Sequence, residues 1–230
     1  MDPSITQEIK IPSEVPVMTL SSTVLFPQAM MPLYIFEPRY REMIDEVLAN
    51  NRIFAVAALD DSSHIARELE TPRSIASIGI IRACQKNNDG TSNLILQGLA
   101  RVQFNQIVCE EPYRKARITQ VHSKPGGSLD LMDAIKPNLL SLIQAQINLG
   151  ASIPKEVHSF LGQIDDPENI LDMAIYTTCA QFELKQTLLE TRGILPRYEN
   201  FCKYLKSELS RLKIIKELRD NLDDDSIKKN

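Results

Sequence analysis

VPVMTLSSTVLFPQAMMPLYIFEPRYREMIDEVLANNRIFAVAALD, residues 15–60, sets two apolar runs on either side of one helical segment. Residues 15–20 form a short apolar run after proline-containing coil. Residues 54–59, FAVAAL, are apolar without interruption, the pattern of a strand covered on both faces. Between them, Pro38 suits the first turn of a helix, where a missing N–H costs nothing. Tyr40, Met43, Ile44, Val47 and Leu48 then recur at helical spacing, and Glu37 beside the helix start favours the helix dipole.

Outward from this stretch the β pattern continues. Residues 75–85 are rich in β-branched side chains, with Ile78, Ile80 and Cys84 expected on one face. Asn87-Asn88-Asp89-Gly90 supplies residues that tolerate positive φ and predicts a hairpin, with residues 94–97 as the return strand. Val102, Phe104 and Val108 alternate on a next strand, and Ala116, Ile118 and Gln120 on one after that. Several short strands with turn signals between them favour a small barrel or sandwich. Lys124-Pro125-Gly126-Gly127-Ser128 predicts a linker.

Beyond residue 128 the period becomes helical. Leu139, Leu140, Leu142, Ile143 and Ile147 share a face that Gly150 ends, with Pro137 starting or kinking that helix. A short helix is expected after Pro154. Asp166-Pro167-Glu168 combines a cap, an N1 proline and an acid in the first turn. One helix is expected from there, through Leu171, Ala174, Ile175, Thr178, Phe182 and Leu189 to Gly193. A last helix starts near Pro196 and carries Tyr198, Phe201, Leu205, Leu209, Leu212, Ile215 and Leu218, a stripe suited to bundle packing or a short coiled-coil seam. The expected organisation is a β subdomain with one helix over residues 12–123, a helical bundle over 129–219 and a disordered tail over 220–230.

Composition narrows the function. The chain of 230 residues carries a net charge of −4, which opposes general nucleic-acid binding, because phosphate contacts need clustered Lys and Arg. No run reaches the roughly 18 apolar residues of a membrane span, and residues 1–13 lack the pattern of a secretory signal. The four cysteines, Cys84, Cys109, Cys179 and Cys202, form no CxxC pair, and His64, His122 and His158 stand apart. Reduced thiols of a cytoplasmic protein are therefore expected, with no metal site. No glycine precedes a lysine, which excludes a phosphate-binding Walker loop, and GxSxG, HExxH and GxGxxG are all missing. Asp60-Asp61 fits a solvated turn, and Asp165-Asp166 fits helix capping. No catalytic residue and no cofactor are expected.

The ordered motifs carry a resemblance. Leu25-Phe26-Pro27, Pro32-Leu33, Phe36-Glu37-Pro38-Arg39-Tyr40 and the FAVAAL run follow one another as in the N-terminal substrate-recognition domain of the Lon protease family. Asp89-Gly90 resembles that family's hairpin, and Gly98-Leu99-Ala100-Arg101-Val102 its Gly-x-x-Arg strand entry. Asp166-Pro167, Asp172, Lys185-Gln186-x-Leu188-Leu189-Glu190 and Arg197-x-x-x-Phe201 resemble its bundle. The likeness spans residues 12–218.

This resemblance implies an α+β fold, a PUA-like β pseudo-barrel followed by an α-helical bundle. It also implies a non-catalytic module that binds unfolded or degron-bearing polypeptides, without the ATPase and Ser-Lys protease domains of full Lon proteases. A protease or chaperone is a further expected associate. The expected binding surface is the turn around residues 32–40 and the groove between barrel and helices. Phe36 is expected to give apolar contact there, and Glu37 and Arg39 polar contact. Phe26, Pro27, Pro32, Leu33, Tyr40, Gly98 and Arg101 are the motif residues expected to be structural. For Phe36 a place in the core is the competing expectation, and for Glu37 and Arg39 a helix cap and surface ion pair. The competing functions are RNA binding, which a PUA-like fold suggests, a hydrolase with a scattered site, and a regulatory partner of a full-length protease.

Overall fold

The computed structural model of the chain describes residues 9–60 and 71–227. Asp61, His64 and residues 1–8 of the N-terminal segment lie outside the described residues. The chain divides into two compact units: residues 1–25 with 30–121, and residues 26–29 with 122–230.

The first unit is a closed β structure. Its strands are β1 (Glu14–Leu20), β2 (Met30–Ile35), β3 (Ile53–Ala58), β4 (Ile75–Lys86), β5 (Ser92–Cys109) and β6 (Lys115–Gln120). β1 pairs with β3 in parallel, while β3–β4, β4–β5, β5–β6 and β6–β1 are antiparallel. Those five strands therefore close on themselves and remove their own edges. The interior is filled by Val15, Val17, Ile53, Ala55, Ala57, Ala76, Ile78, Ala100, Val102, Ala116 and Ile118. Five of these are alanines, as a narrow five-stranded ring demands, because the inward side chains must share little space. Every residue of β3 is buried, as the FAVAAL run predicts. Helix α1 (Pro38–Ala49) turns Tyr40, Met43, Ile44 and Val47 inward. The Tyr40 hydroxyl accepts from the Thr19 amide at 3.1 Å and donates to the Thr19 carbonyl at 3.4 Å, tying α1 to β1.

Two local expectations change in this unit. Ile81 is 2% exposed while Ile80 is only half-buried, because bulges after Ile78 and Ile81 shift the alternation along β4. β5 is one strand of 18 residues where the sequence pattern predicts two, with Gly98 inside it and paired with Gly79. A Cβ on Gly79 would lie 2.6 Å from the Leu96 side chain, so the strands need glycine for close approach. The hairpin at Asn87–Thr91 matches expectation: the Gly90 amide donates to the Asn87 carbonyl, and Gly90 has φ +82°.

The second unit is helical: α2 (Leu129–Asp133), α3 (Ile135–Asn148), α4 (Lys155–Gly162), α5 (Pro167–Thr178), α6 (Phe182–Glu190) and α7 (Ile194–Ile227). Asp166 caps α5, its Oδ1 accepting from the Asn169 amide at 2.8 Å. The single helix expected from residue 167 to 192 is two helices, because Cys179 takes an extended conformation at φ −81°, ψ 119°. The Thr177 and Thr178 hydroxyls bond back to the Met173 and Ala174 carbonyls just before that break. The predicted linker is fixed in place: the Lys124 amide donates to the Arg192 carbonyl, and the Ile194 amide to the Lys124 carbonyl. α7 runs through Ile227, into the stretch expected to be a tail.

Arg197 organises this unit. Its side chain is fully buried, and Nη1 lies 2.7 Å from Asp172 Oδ1 and 3.2 Å from Glu168 Oε1. Nη2 donates to Ser123 Oγ at 2.8 Å and Nε to the Thr191 carbonyl at 3.0 Å. A buried guanidinium is tolerable only when its donors are matched in this way.

Candidate functional site

β2 is the strand that does not belong to the closed ring. Among the described residues it pairs with β5 alone, from Met30↔Gln97 to Ile35↔Ser92. That edge position explains how a strand accommodates Pro32, which has no N–H to donate. It also fixes the hydrogen-bonding parity. The Pro32↔Ile95 pair can only be the non-hydrogen-bonded kind, so the ladder bonds run through Met31, Leu33 and Ile35. The backbone groups of Pro32 and Tyr34 consequently point away from β5, toward the open edge.

Side chains follow the same period of two. Met31 and Ile35 are buried, while Met30 is 47%, Tyr34 56% and Phe36 59% exposed. Tyr34 and Phe36 stack, with ring centroids 5.9 Å apart. A shallow cleft of about 490 Å³ lies against this strand. One wall is the row Pro32–Ile95–Ala83 and the other is Tyr34–Asn93–Gln85, with the Leu33–Leu94–Cys84 row between them. No lining residue is charged. Around the strands, Glu37 pairs with Arg39 at 2.8 Å and Lys86 with Asp45 at 2.5 Å, while Arg82, next to Ala83, donates to the Gln97 side-chain oxygen at 2.6 Å. The Arg39 guanidinium also sits 4.5 Å from the Tyr40 ring centroid. Chemically, the arrangement offers apolar side chains beside outward-facing backbone groups, a surface suited to an extended, uncharged chain.

Of the three residues expected at a binding surface, the structure exposes Phe36 beside β2 and joins Glu37 to Arg39 just after it. Glu37 occupies the N-cap position of α1 but makes no side-chain capping bond there. Phe26 and Tyr40 are buried, Pro27 and Leu33 half-buried, and Arg101 is 3% exposed opposite Ser77. Pro32, named both as a structural motif residue and as the start of the expected binding turn, is exposed on the cleft wall. Sequence reasoning missed Met30, Tyr34 and Ile95. The signal was present in the spacing Met30-x-Pro32-x-Tyr34-x-Phe36, which alternates as a strand does, but Pro32 obscures it.

Elsewhere, a cleft of about 690 Å³ lies among α3, α5 and α7, where Arg211 pairs with Glu208 at 2.7 Å. Burial pushes the Cys179 and Cys202 thiols up, and burial holds Lys185 down while its Nζ donates to the Tyr176 carbonyl. Protonated, buried thiols are poor nucleophiles, which opposes a cysteine hydrolase at these positions. Among the described residues no cluster of three or more His, Cys, Asp or Glu is placed to hold a metal ion, and no helix is long and apolar enough to cross a membrane.

Comparisons with known proteins agree with this architecture. A family model described as the ATP-dependent protease La (LON) substrate-binding domain matches residues 14–207. Lon protease of Desulfosudis oleivorans is 27% identical over 219 residues, covering 94% of this chain and 26% of the relative. Lon protease of Dictyoglomus thermophilum is 26% identical, covering 95% and 27%. The chain thus spans about a quarter of the length of these relatives. Among solved structures, the N-terminal domain of Mycobacterium avium complex Lon protease superposes with a TM-score of 0.64 at 20% identity, covering 86% of this chain and 98% of that one. A Lon N-terminal domain protein from Xanthomonas campestris gives 0.60 at 16% identity, covering 84% and 99%.

Proposed function

The chain belongs to the family of ATP-dependent protease La (LON) substrate-binding domains, and we propose that it is a non-catalytic, cytoplasmic module that binds unfolded or degron-bearing polypeptides through the apolar edge formed by β2 and the start of α1. One observation supports this reading above the others: Met30 and Tyr34 on β2, and Phe36 just after it, are exposed together beside a strand edge that pairs with no other strand among the described residues. Solvated apolar clusters of this kind mark interaction surfaces, and open strand edges invite pairing. Four unpaired cysteines fit a reducing compartment.

A single shallow surface gives weak binding, with Kd of about 10–100 μM, equivalent to about −5 to −7 kcal/mol. Several contacts along one client chain then raise the effective affinity, and a protease or chaperone partner supplies the next step.

Fluorescence anisotropy with a labelled, reduced and alkylated protein as the unfolded probe tests this. Saturable binding is expected to weaken about tenfold, roughly 1.4 kcal/mol, in a Tyr34→Ser/Phe36→Ser double variant that keeps its unfolding midpoint. Absence of binding by the folded wild type, or equal binding by the variant, contradicts the assignment.

A further inference from the structure

We propose that the occupant of the β2 edge is an uncharged, extended segment of another polypeptide that joins the sheet as an added strand. This rests on the polypeptide-binding reading above and specifies how the segment is held and what it must contain. The first warrant is the ladder parity. Pro32 forces the Tyr34 amide and carbonyl, and its own carbonyl, off the β5 side, so they form one row at the edge. A neighbouring backbone in extended form supplies matching groups: one N–H acceptor at Tyr34 and two donors for the carbonyls. Pro32 gives no donor, so the added ladder is short and stops there. That limits indiscriminate sheet-to-sheet association while leaving room for a short segment.

The second warrant is charge. The exposed side chains along this edge, Met30, Pro32, Tyr34 and Phe36, carry no charge. A charged side chain laid against these four would lose water and gain no counter-ion from them. Strand alternation places every second residue of the segment on the face that carries the Pro32 and Tyr34 side chains, directly beside β2. The recognised chemistry is thus an uncharged stretch with apolar residues at alternate positions.

The test uses the full chain and capped nonapeptides with valine or tyrosine at alternate positions and threonine or serine between. Two versions are N-methylated, one at all apolar positions and one at all intervening positions. Strand addition requires inward N–H groups of one parity only, so one methylated peptide is expected to lose at least about tenfold in affinity and the other to stay within about twofold. Loss at the apolar positions means antiparallel addition, and loss at the intervening positions means parallel addition. Lysine or aspartate at the positions on the Pro32 and Tyr34 face is expected to weaken binding about tenfold as well. In labelled protein, the Tyr34 amide should gain protection from hydrogen exchange when the unmethylated peptide binds. Equal affinity, or equal loss, for the two methylated peptides overturns strand addition while leaving polypeptide recognition intact. Failure of the unmethylated peptide to bind, when the alkylated unfolded protein does bind, also overturns it. If neither binds, both this inference and the functional reading fall.

Discussion

Phe26 and Phe36 belong to the same motif-bearing stretch and meet opposite environments. Phe26 is wholly buried, whereas Phe36 is 59% exposed and stacked on Tyr34. Phe26→Ala is therefore expected to cost about 3–5 kcal/mol in urea unfolding. Phe36→Ala should cost less than about 1 kcal/mol, because little packing is lost. A comparable loss at Phe36 would make it a core residue and remove it from the binding surface. The buried pair behaves differently again. Asp172→Ala leaves the Arg197 guanidinium without its closest carboxylate, and a loss of about 3–5 kcal/mol in unfolding free energy is expected. Protonation offers a gentler probe. The hydrogen bond from Lys115, and then that from Tyr113, hold the Glu46 carboxyl below the usual carboxylate range. A depressed carboxyl stabilises the fold above its unfolded pKa, and that contribution disappears as pH falls through the folded value. Glu46→Gln should thus flatten the stability profile between about pH 5 and pH 3, as followed by thermal melts. An unchanged slope would exclude Glu46 as a contributor, and since Glu46 is largely exposed the effect is small.

At the level of elements, legibility in the sequence tracks how locally each element is determined. The α5 start could be read because Asp166, Pro167 and Glu168 act through adjacent backbone, and the Asp166 cap is present as expected. Asp166→Ala should cost about 1 kcal/mol by denaturant titration, while Asp165→Ala, a surface partner of Lys136, should cost clearly less. The α5–α6 break could not be read, since Leu171 to Leu189 keep an apolar period across it and the interruption is only the three residues Cys179 to Gln181, with Cys179 and Gln181 extended. β2 was hidden for a different reason. Proline inside six residues argues against a strand unless the strand lies at an edge, and edge status is a property of the whole sheet. The candidate site inherits that difficulty. Phe36, Glu37 and Arg39 were visible as a motif beside a helix start. Met30, Tyr34 and Ile95 join them only once β2 is laid against β5, which also sets Pro32 on the cleft wall.

For the whole molecule, the barrel ring has no edges of its own, and the added strand reintroduces one. The ring supplies a rigid seat through its alanine-rich interior, and the helical unit is internally fastened by Arg197. The β2 edge, by contrast, combines apolar side chains with outward backbone groups. Hydrogen exchange of the full chain, with and without the alkylated unfolded protein, tests this most directly. Protection is expected to rise across β2 and at Phe36, with the amides of α3 and α7 unchanged. Protection confined to the helical unit, with β2 exchanging as before, would contradict the account.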